Sequence, residues 1–386
     1  MRVMDLFAGC GGFAEGFRSF SAGTDEGAPP FNTVAALEFD TRALATFKAN
    51  HRQAVPLPVD IRDFDAKSFA GSIDVIAGGP PCQGFSGLGK GKGDDPRNAL
   101  WQHYVRVVSE VVPQVFVMEN VNRFMKSYEH DRLLEALQPD GPLADYTLTK
   151  GVLNAADYGV PQVRRRAIVI GTHRSVGCSI ALPKATHAQN PLECDPLDLL
   201  AAELPRVRWR TVDGVFERSA RLAHRVADLP HRSDAYGVPG PFRTDELHIG
   251  RKPTPLSVAR YQAIPMGGNR LNLQGRTAVF DGCELHLSTE SWDRHNSGAG
   301  DVMGRLRLGL PSVTIRTEFF KPEKGRYLHP VEHRPITHYE AALLQGFPEE
   351  YLWHGTKGEI ARQIGNAVPI GLARAIAGTI HAQLRR

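Results

Sequence analysis

The amino-acid sequence predicts an α/β protein in which an open sheet with flanking helices carries a second, irregular domain. Three observations lead to this prediction. Short apolar runs alternate with helical or turn segments over residues 1–171, the pattern of a parallel sheet with helices on its faces. That rhythm is lost between residues 172 and 310, and helical patterns return after residue 335. The length of 386 residues fits two domains at a prior of ~150 residues each.

The individual elements follow from apolar spacing. The apolar runs that predict strands are residues 3–7, 33–39, 55–61, 73–77, 115–121 and 167–171. Helical spacing predicts helices over residues 98–112 and 131–137. Thr337 and Glu340 have the spacing of a capping box, and Gly346 is the expected end of the helix that they begin. The last predicted helix has apolar residues at every fourth position: Val368, Leu372, Ile376, Ile380 and Leu384.

Residues 172–310 are rich in Pro, Gly, Arg and His, and their apolar runs are short. Leu, Trp and Phe still recur there, so we expect an ordered domain of loops and short strands. The net charge of the chain is only +4. Residues 201–260 hold eleven Lys and Arg against seven Asp and Glu, a local surplus equal to that of the whole chain. Such a surplus is typical of a solvated face or of a nucleic-acid surface.

The composition also excludes several classes of protein. No stretch approaches the ~20 apolar residues of a membrane span. Residues 1–7 lead directly into a predicted strand, so no signal peptide is expected. The five cysteines are odd in number and have no CxxC spacing, which argues against a disulfide framework or a zinc site. We therefore expect a cytoplasmic protein without a bound metal.

Three successive strand tips carry residues suited to a nucleoside-like cofactor. The first strand runs into a glycine-rich turn, residues 5–13, which lets a ligand approach the backbone and the start of a helix. Glu38 follows the second strand, where a carboxylate suits ribose hydroxyls. Asp60 is expected to end the third strand and to accept a hydrogen bond from an adenine amino group. The strict GxGxxG of a nicotinamide dehydrogenase is absent.

A second group of residues suggests covalent chemistry. Cys82 follows two prolines that fix the backbone after the fourth strand, at the sheet edge where open α/β sheets bind ligands. Glu119 ends the fifth strand and is expected one strand away from Cys82. Arg164 and Arg166 share one side by alternation. From the residues alone, other roles remain open. Cys82 could be a buried structural thiol, Glu119 a helix cap, and the arginines a solvated surface.

In this order, the motifs resemble those of the DNA (cytosine-5)-methyltransferase family. DLFAGCGGF at residues 5–13 is similar to its first motif, and GGPPCQGFS at 78–86 to its nucleophile loop, which DPRN at 95–98 follows. ENV at 119–121 and QVRRR at 162–166 are similar to its acid and QxRxR motifs. Residues 329–348 and QIGNAVP at 363–369 resemble the last two motifs. The resemblance covers residues 1–171 and 311–386; Leu343, where a basic residue is more usual, is a departure that concerns packing.

The resemblance implies a Rossmann-like S-adenosylmethionine-dependent methyltransferase domain and a covalent mechanism. Cys82 would attack C6 of a cytosine flipped out of duplex DNA, because C5 is a poor nucleophile until a thiolate adds to the ring. Protonated Glu119 would neutralise charge at N3, and Arg164 and Arg166 would hold O2. The residues implied for cofactor binding are Phe7, Gly9, Gly11, Glu38, Phe39, Asp60, Ile61, Pro81, Leu100, Asn366 and Val368.

The resemblance also divides the chain by function. Residues 1–171 and 311–386 would form the catalytic domain, and residues 172–310 a smaller target-recognition domain. Candidate DNA-binding residues are Gln83 and Ser86 in the glycine-rich loop after Cys82, and Arg206, Arg208 and Arg210. The expected partner is double-stranded DNA, bound by a monomer, with a cognate restriction endonuclease that acts separately. A tRNA cytosine-5 methyltransferase and a catalytically inactive DNA-binding relative are the alternatives.

Overall fold

A computed structural model describes residues 1–22, 29–81, 100–191, 206–294 and 300–385, which form two compact units. The first unit comprises Met1–Val160, Arg164–Arg208 and Ala367–Arg386, and the second Pro161–Val163 and Trp209–Asn366. Residues 311–366 thus fall in the second unit. The compact units do not share the boundaries of the catalytic and target-recognition domains named above, and that functional division stays a prediction.

A seven-stranded sheet organises the first unit. Its strands are β1 (Arg2–Leu6), β2 (Asn32–Leu37), β3 (Val55–Leu57), β4 (Val75–Gly78), β5 (Val115–Val121), β6 (Tyr146–Asn154) and β7 (Arg165–His173), in the spatial order β3-β2-β1-β4-β5-β7-β6. Strands β1 to β5 pair in parallel, whereas β7 runs antiparallel to both β5 and β6. The order turns back between β1 and β4, so the carboxyl ends of β1, β2 and β4 meet at one edge.

The prediction of a parallel sheet is therefore wrong for β7, which runs antiparallel to both of its neighbours. Only residues 155–164 join β6 to β7, too few for the crossover of a dozen or more residues that parallel neighbours require. Strand β6 was not predicted because this edge strand has no continuous apolar run; only its first and last residues are buried, and those between are partly or fully exposed. The third strand also ends earlier than expected, at Leu57.

The described residues contain ten α-helices: α1 (Gly12–Arg18), α2 (Thr41–Asn50), α3 (Leu100–Val111), α4 (Tyr128–Glu135), α5 (Asp213–Ser219), α6 (Pro255–Ala263), α7 (Glu290–Arg294), α8 (His338–Gln345), α9 (Lys357–Asn366) and α10 (Ile370–Leu384). None of them combines the length and the apolar composition that crossing a membrane requires. The predicted capping box is confirmed: the Thr337 hydroxyl accepts from the Glu340 amide, and the Glu340 carboxylate accepts from the Thr337 amide. The helix ends at Gly346, whose φ of 90° favours glycine.

Two apolar layers bury the central sheet from both faces. One contains Met4, Leu6 and Phe116 of the strands with Tyr104 of α3. The other contains Val117 and the residues of α1 and α10, among them Phe17 and Leu372. Continuous apolar strands such as β4 and the first part of β5 follow from this two-sided burial.

Helices α1 and α10 approach each other closely because α1 has glycines at the contact. A Cβ at Gly16 would lie 2.3 Å from the Cβ of Ala373, and a Cβ at Gly12 would lie 2.7 Å from the carbonyl oxygen of Val368. Real Cβ atoms do not approach so closely, so any side chain at either position forces the backbones apart. The last helix of the chain therefore lies directly against the helix that follows β1.

The remaining strands are short. Those in the middle of the chain, as predicted, are β8 (His187–Ala188) and β9 (Val207–Arg208) in the first unit, and β10 (Arg225–Val226), β11 (Phe242–Arg243), β12 (Ile249–Gly250), β13 (Thr277–Phe280) and β14 (Cys283–His286) in the second; β15 (Leu352–Trp353) follows later in the second unit. The second unit has an apolar cluster of its own, built around Tyr261, Leu273 and Leu328. Short strands thus coexist with an ordered core there.

We expect Gly16→Ala to destabilise the first unit by about 1–3 kcal/mol, because the new methyl group overpacks the α1–α10 contact. Gly214→Ala in α5 is the matched control, since a Cβ there meets no protein atom within 4 Å. Alanine should stabilise that helix by about 0.5–1 kcal/mol. Thermal and urea unfolding of the two variants measure the contrast. Equal stability of both would contradict the packing argument.

Candidate active site

The turn after β1 has a backbone conformation that opens it to a ligand. Phe7, Gly9 and Gly11 have φ values of 56°, 55° and 94°, and the Gly11 amide closes the turn on the Ala8 carbonyl at 2.8 Å. Glycine adopts such angles without steric cost. A Cβ at Gly9 would meet no atom of the described residues within 4 Å, so the space above Gly9 is open with respect to that part of the chain. The predicted cofactor residues of this turn therefore border free volume.

Glu38, at the tip of β2, ties the second strand to that turn. Its two carboxylate oxygens accept hydrogen bonds from the Gly9 amide at 2.8 Å and from the Asp40 amide at 2.7 Å. Burial raises the pKa of the Glu38 carboxyl, while the amides of Asp40 and Gly9 lower it. Each carboxylate oxygen retains a lone pair, so Glu38 can also accept from the hydroxyl group of a ligand.

At the third strand tip, the structure differs from the prediction. Asp60 does not end β3, because that strand stops at Leu57. Its carboxylate is held by Arg62 in a bidentate pair with N–O distances of 2.9 and 2.7 Å, and this hydrogen bond lowers the pKa of Asp60. A ligand amino group would share that carboxylate with Arg62. Phe39 is 71% exposed, which leaves its ring free to stack, whereas Ile61 is buried.

Glu119 and Arg166 form an ion pair at the end of β5. The Arg166 Nε lies 2.7 Å from the Glu119 Oε1, and both side chains are largely buried. The other carboxylate oxygen, Oε2, lies 3.0 Å from the position of a Cβ on Gly79. The acid is therefore oriented toward the residues that follow β4, as the sequence analysis expected from adjacent strands. It is a strand residue and not a helix cap.

Asn120, the next residue of β5, holds the backbone just ahead of the predicted nucleophile. Its side-chain amide donates to the Pro80 carbonyl at 3.2 Å in a buried hydrogen bond. Pro81 is partly buried, and Cys82, Gln83 and Ser86 lie outside the described residues. The sequence analysis did not name Asn120 as a site residue, although its place in the ENV motif was a signal.

Arg164 is 2% exposed. Its backbone is fixed to the end of β6, since its amide donates to the Asn154 Oδ1 at 3.2 Å and its carbonyl accepts from the Ala155 amide at 2.9 Å. Leu100, the first residue of α3, packs against the core layer that contains Tyr104. The joint action of Arg164 and Arg166 on a ligand stays a prediction.

The other cysteines of the described residues are unsuited to the nucleophilic role. Cys10 is buried within the glycine-rich turn, and burial raises the pKa of its thiol. Cys178 and Cys283 are exposed free thiols that lie outside the family motifs named above. None of these three cysteines therefore replaces Cys82 as the predicted nucleophile.

The candidate DNA-binding arginines lie in both units. Arg206 and Arg208 belong to the first unit and Arg210 to the second. Arg208, in β9, and Arg210 are exposed, whereas Arg206 is partly buried. Asn366 is exposed at the end of α9, and Val368 is buried beside Gly12 in the first unit.

A glutamine pair joins three motif segments within the second unit. The Gln162 side chain donates to the Gln345 Oε1 at 2.9 Å and accepts from the Ile315 amide at 2.9 Å. Gln345 donates in turn to the Ile364 carbonyl at 2.6 Å. Gln162 of the QVRRR segment is thus a structural residue that the sequence analysis did not single out. Its complete burial is visible only once the chain has folded.

The same unit contains a buried ion pair. Both oxygens of Glu340, which is fully buried, accept from the Arg334 guanidinium at 2.9 and 2.7 Å. Burial opposes its ionisation, but the pair with Arg334 lowers the pKa of Glu340 to about 2. Arg334 therefore fixes the start of α8, the helix that carries Gln345.

Comparison with solved structures identifies the fold. A DNA modification methyltransferase encoded within a prophage of E. coli aligns over 100% of both chains with a TM-score of 0.65 at 23% identity. The Dnmt2 methyltransferase of S. pombe aligns over 100% of this chain and 98% of that chain, with a TM-score of 0.55 at 17% identity.

Sequence comparison extends the likeness over almost the whole chain. The type II methyltransferase M.XorII of Xanthomonas oryzae pv. oryzae is 34% identical, with 99% of this chain and 85% of the relative covered. M.DdeI of Desulfomicrobium norvegicum is 29% identical, with 98% and 88% covered. Mouse DNA (cytosine-5)-methyltransferase 1 is 28% identical, but this chain spans only 28% of that protein.

The mixed sheet and its glycine-rich strand tip place the chain among the Rossmann-like methyltransferases that use S-adenosylmethionine. The family model described as C-5 cytosine-specific DNA methylase matches residues 1–382. The chain belongs to this family of DNA cytosine-5 methyltransferases.

We expect Glu340→Gln to destabilise the second unit by up to about 3–5 kcal/mol, because it removes the buried one of the two carboxylates that pair with Arg334 and leaves the half-exposed Glu332. The control Glu290→Gln removes an exposed pair with Arg294 and should cost less than about 1 kcal/mol. Since the folded pKa of Glu340 is depressed, its contribution is present above pH ~4.3 and is lost as the pH falls toward 2. Denaturant unfolding between pH 2 and 7 tests both statements; a wild-type acid dependence retained in Glu340→Gln would refute the second.

Proposed function

We propose that this chain is a site-specific methyltransferase that modifies C5 of a flipped-out cytosine through a covalent Cys82–C6 intermediate. The observation that carries the proposal is the arrangement of consecutive residues on β5. Glu119, paired with Arg166, is oriented toward Gly79, and Asn120 holds Pro80, two residues before Cys82. One strand, β5, therefore positions both the acid Glu119 and the backbone at Pro80, which leads into the proposed nucleophile loop.

The open turn after β1 supports the proposed position of the methyl donor. The residues fit S-adenosylmethionine. Gly9 borders the open space, the Glu38 carboxylate lies beside Gly9, and the exposed ring of Phe39 follows Glu38. Gly9 and Gly11 admit the ligand to the backbone, Glu38 accepts from the ribose, and Phe39 and Asp60 recognise the adenine. When bound, S-adenosylmethionine supplies an electrophilic methyl group. Phe7, Ile61, Pro81, Leu100, Asn366 and Val368 complete the proposed pocket.

The chemistry then follows from the pair on β5. The Cys82 thiolate forms a bond to C6, and the electron density pushed into the ring is neutralised at N3 by a proton from Glu119, which acts here as the protonated acid, with its Oε1 still accepting from Arg166. Arg166 holds the Glu119 Oε1 and leaves Oε2 to the base, while Arg164 and Arg166 orient the ring at O2. Transfer of the methyl group to C5 breaks its bond to the donor sulfur and leaves a neutral thioether. Water then accepts the C5 proton, the Cys82–C6 bond breaks to release the thiolate, and N3 returns its proton to Glu119, which restores aromaticity.

Target recognition is proposed for residues 172–310. The surplus of arginines there suits duplex DNA, with Arg208 and Arg210 exposed to phosphates or base edges and Arg206 beside them. Gln83 and Ser86 would contact DNA from the nucleophile loop. The type II methyltransferase names of the relatives favour a restriction-modification role. A cytoplasmic monomer that acts separately from a cognate endonuclease completes the proposal. Bisulfite sequencing of DNA from an expressing host identifies the recognition sequence and the methylated position.

Gly9→Ala should weaken S-adenosylmethionine binding about tenfold or more, a loss of ~1.4 kcal/mol, because its methyl group occupies the open space at the turn. Gly71→Ala is the matched control. It has a similar φ of 66°, and its Cβ also meets no protein atom within 4 Å. Both variants carry the backbone strain of about 1–2 kcal/mol, so they should unfold alike. Calorimetric titration with S-adenosylmethionine separates them, and equal affinities would argue against the proposed pocket.

Cys82→Ser should abolish methyl transfer from labelled S-adenosylmethionine to duplex DNA while cofactor binding is retained. Cys178→Ser, at an exposed free thiol, should keep full activity. Duplex DNA that contains 5-fluorocytosine should trap the wild-type protein in a complex that resists detergent, because fluorine cannot leave C5 as a proton does. Cys82→Ser should form no such complex.

Three results would count against the mechanism or the substrate. Full activity of Cys82→Ser would exclude the covalent step. Transfer to tRNA but not to DNA by the wild-type protein would favour the tRNA methyltransferase alternative. No transfer to either, with DNA binding retained, would identify a catalytically inactive relative.

A further inference from the structure

Lys150 lies in the middle of β6, the edge strand of the seven-stranded sheet, where it pairs with Val169 of β7. The residue is exposed, and its Nζ lies 2.9 Å from the Nε2 of His130 in the first turn of α4. An ammonium group has donors only, so Nε2 accepts this hydrogen bond. An amine and a base are therefore in direct contact, outside the residues proposed for methyl transfer.

The imidazole of His130 is held in place by its surroundings. His130 is only 7% exposed, and its ring meets the ring of Phe124 edge to face, with 5.8 Å between the centroids. Its backbone amide donates to the hydroxyl of Ser127, the residue that caps α4. The ring is therefore a fixed acceptor, and the amine of Lys150 is held beside it at the surface.

The contact with Lys150 also determines which nitrogen of His130 carries the proton. Because Nε2 accepts, the proton of the neutral ring is on Nδ1, which lies 3.6 Å from the Asp131 Oδ1. Burial lowers the pKa of His130 and so does the charge of Lys150, whereas Asp131 raises it. The ring is thus neutral at neutral pH and can take up a proton. The carboxylate of Asp131 would stabilise the imidazolium that results.

We propose that Lys150 is a site of self-acylation, at which its amine takes the acyl group of a small activated donor, an acyl phosphate or an acyl thioester, with His130 as the general base. Asp131 is a positioning residue for His130. The inference is independent of the proposed methyl transfer, because none of these three residues belongs to that site.

The reaction balances with the groups at this site, water and the donor. Lys150 first loses a proton to water, and the neutral amine keeps one N–H bond directed at the His130 Nε2. Its lone pair forms a bond to the carbonyl carbon of the donor. His130 takes the second proton from the nitrogen, and the bond from that carbon to the phosphate oxygen or the thiolate sulfur breaks, with its electron pair, to release the leaving group. The imidazolium then gives its proton to water, and Lys150 is left as a neutral amide.

Incubation of the folded protein with acetyl phosphate or with acetyl coenzyme A, followed by peptide mass spectrometry, measures the reaction at each lysine. Lys67 is the internal reference. It is exposed in the same unit and has no hydrogen bond to an imidazole among the described residues. Lys150 should be acetylated about tenfold or more faster than Lys67, because a positioned general base accelerates such a step. The donor that gives this difference identifies the source of the acyl group.

His130→Phe tests the role of the base. Phenylalanine keeps a ring against Phe124 and the backbone bond to Ser127, but it lacks the Nε2 acceptor. Acetylation of Lys150 should slow to within about twofold of the rate at Lys67, since the contribution of a general base is then lost. The rate at Lys67 should not change, so the variant provides its own reference.

Asp131→Asn tests the positioning role. The Asp131 side chain is 74% exposed, so its substitution leaves the fold intact. Acetylation of Lys150 should slow about two- to fivefold, the rate equivalent of an exposed ion pair. Glu135→Gln is the matched control. It removes an exposed carboxylate of the same helix that lies near Arg132 and should leave the rate at Lys150 unchanged.

Equal rates at Lys150 and Lys67 in the wild-type protein, with both donors, would overturn the proposal. A wild-type rate at Lys150 in folded His130→Phe would overturn it as well. If thermal unfolding shows that His130→Phe does not fold, two comparisons decide: Lys150 against Lys67 in the wild type, and Asp131→Asn against Glu135→Gln. Equal rates at Lys150 in these last two variants would then count against His130 as the base.

Discussion

The close approach of α1 to α10 is the constraint on which the first unit depends. Gly12 and Gly16 let the last helix of the chain lie against the first one, which brings Val368 to the glycine-rich turn. Residues separated by most of the sequence thus border the same strand tip. A methyl group at Gly16 would clash with the packed backbone of the neighbouring helix, so glycine is required there for packing. Gly9 and Gly11 are required for a different reason, their positive φ angles.

Buried acids lie in opposite electrostatic environments in the two units. In the second unit, Glu340 is ionised and its charge is compensated by Arg334, an arrangement that fixes the start of α8. In the first unit, burial raises the pKa of both Asp5 and Glu38, and backbone amides are their main partners. Burial without a fixed cation favours the neutral form of these two carboxyl groups, whereas the Arg334 charge keeps Glu340 ionised.

The sequence predicted the parts of the fold in which local chemistry and burial agree. The capping box of Thr337 and Glu340 and the buried runs of β4 and β5 appear where their patterns indicated. β6 was missed because an edge strand lacks a continuous apolar run, and the antiparallel direction of β7 depends on a connection length that apolar spacing does not report. Asp5 and Gln162 could not be recognised either, since complete burial of a polar side chain is a tertiary property.

Strand alternation explains how β5 serves two parts of the site at once. Successive side chains of a strand point to opposite faces, so Glu119 lies on the face of Val117 and Asn120 on the face of Met118. One side chain pairs with Arg166 and the other holds Pro80. A shift of the register by one residue would exchange the two faces and lose both contacts. The pairing of β5 with β4 and β7, residue by residue, therefore sets the position of Glu119 relative to Gly79 and of Asn120 relative to Pro80.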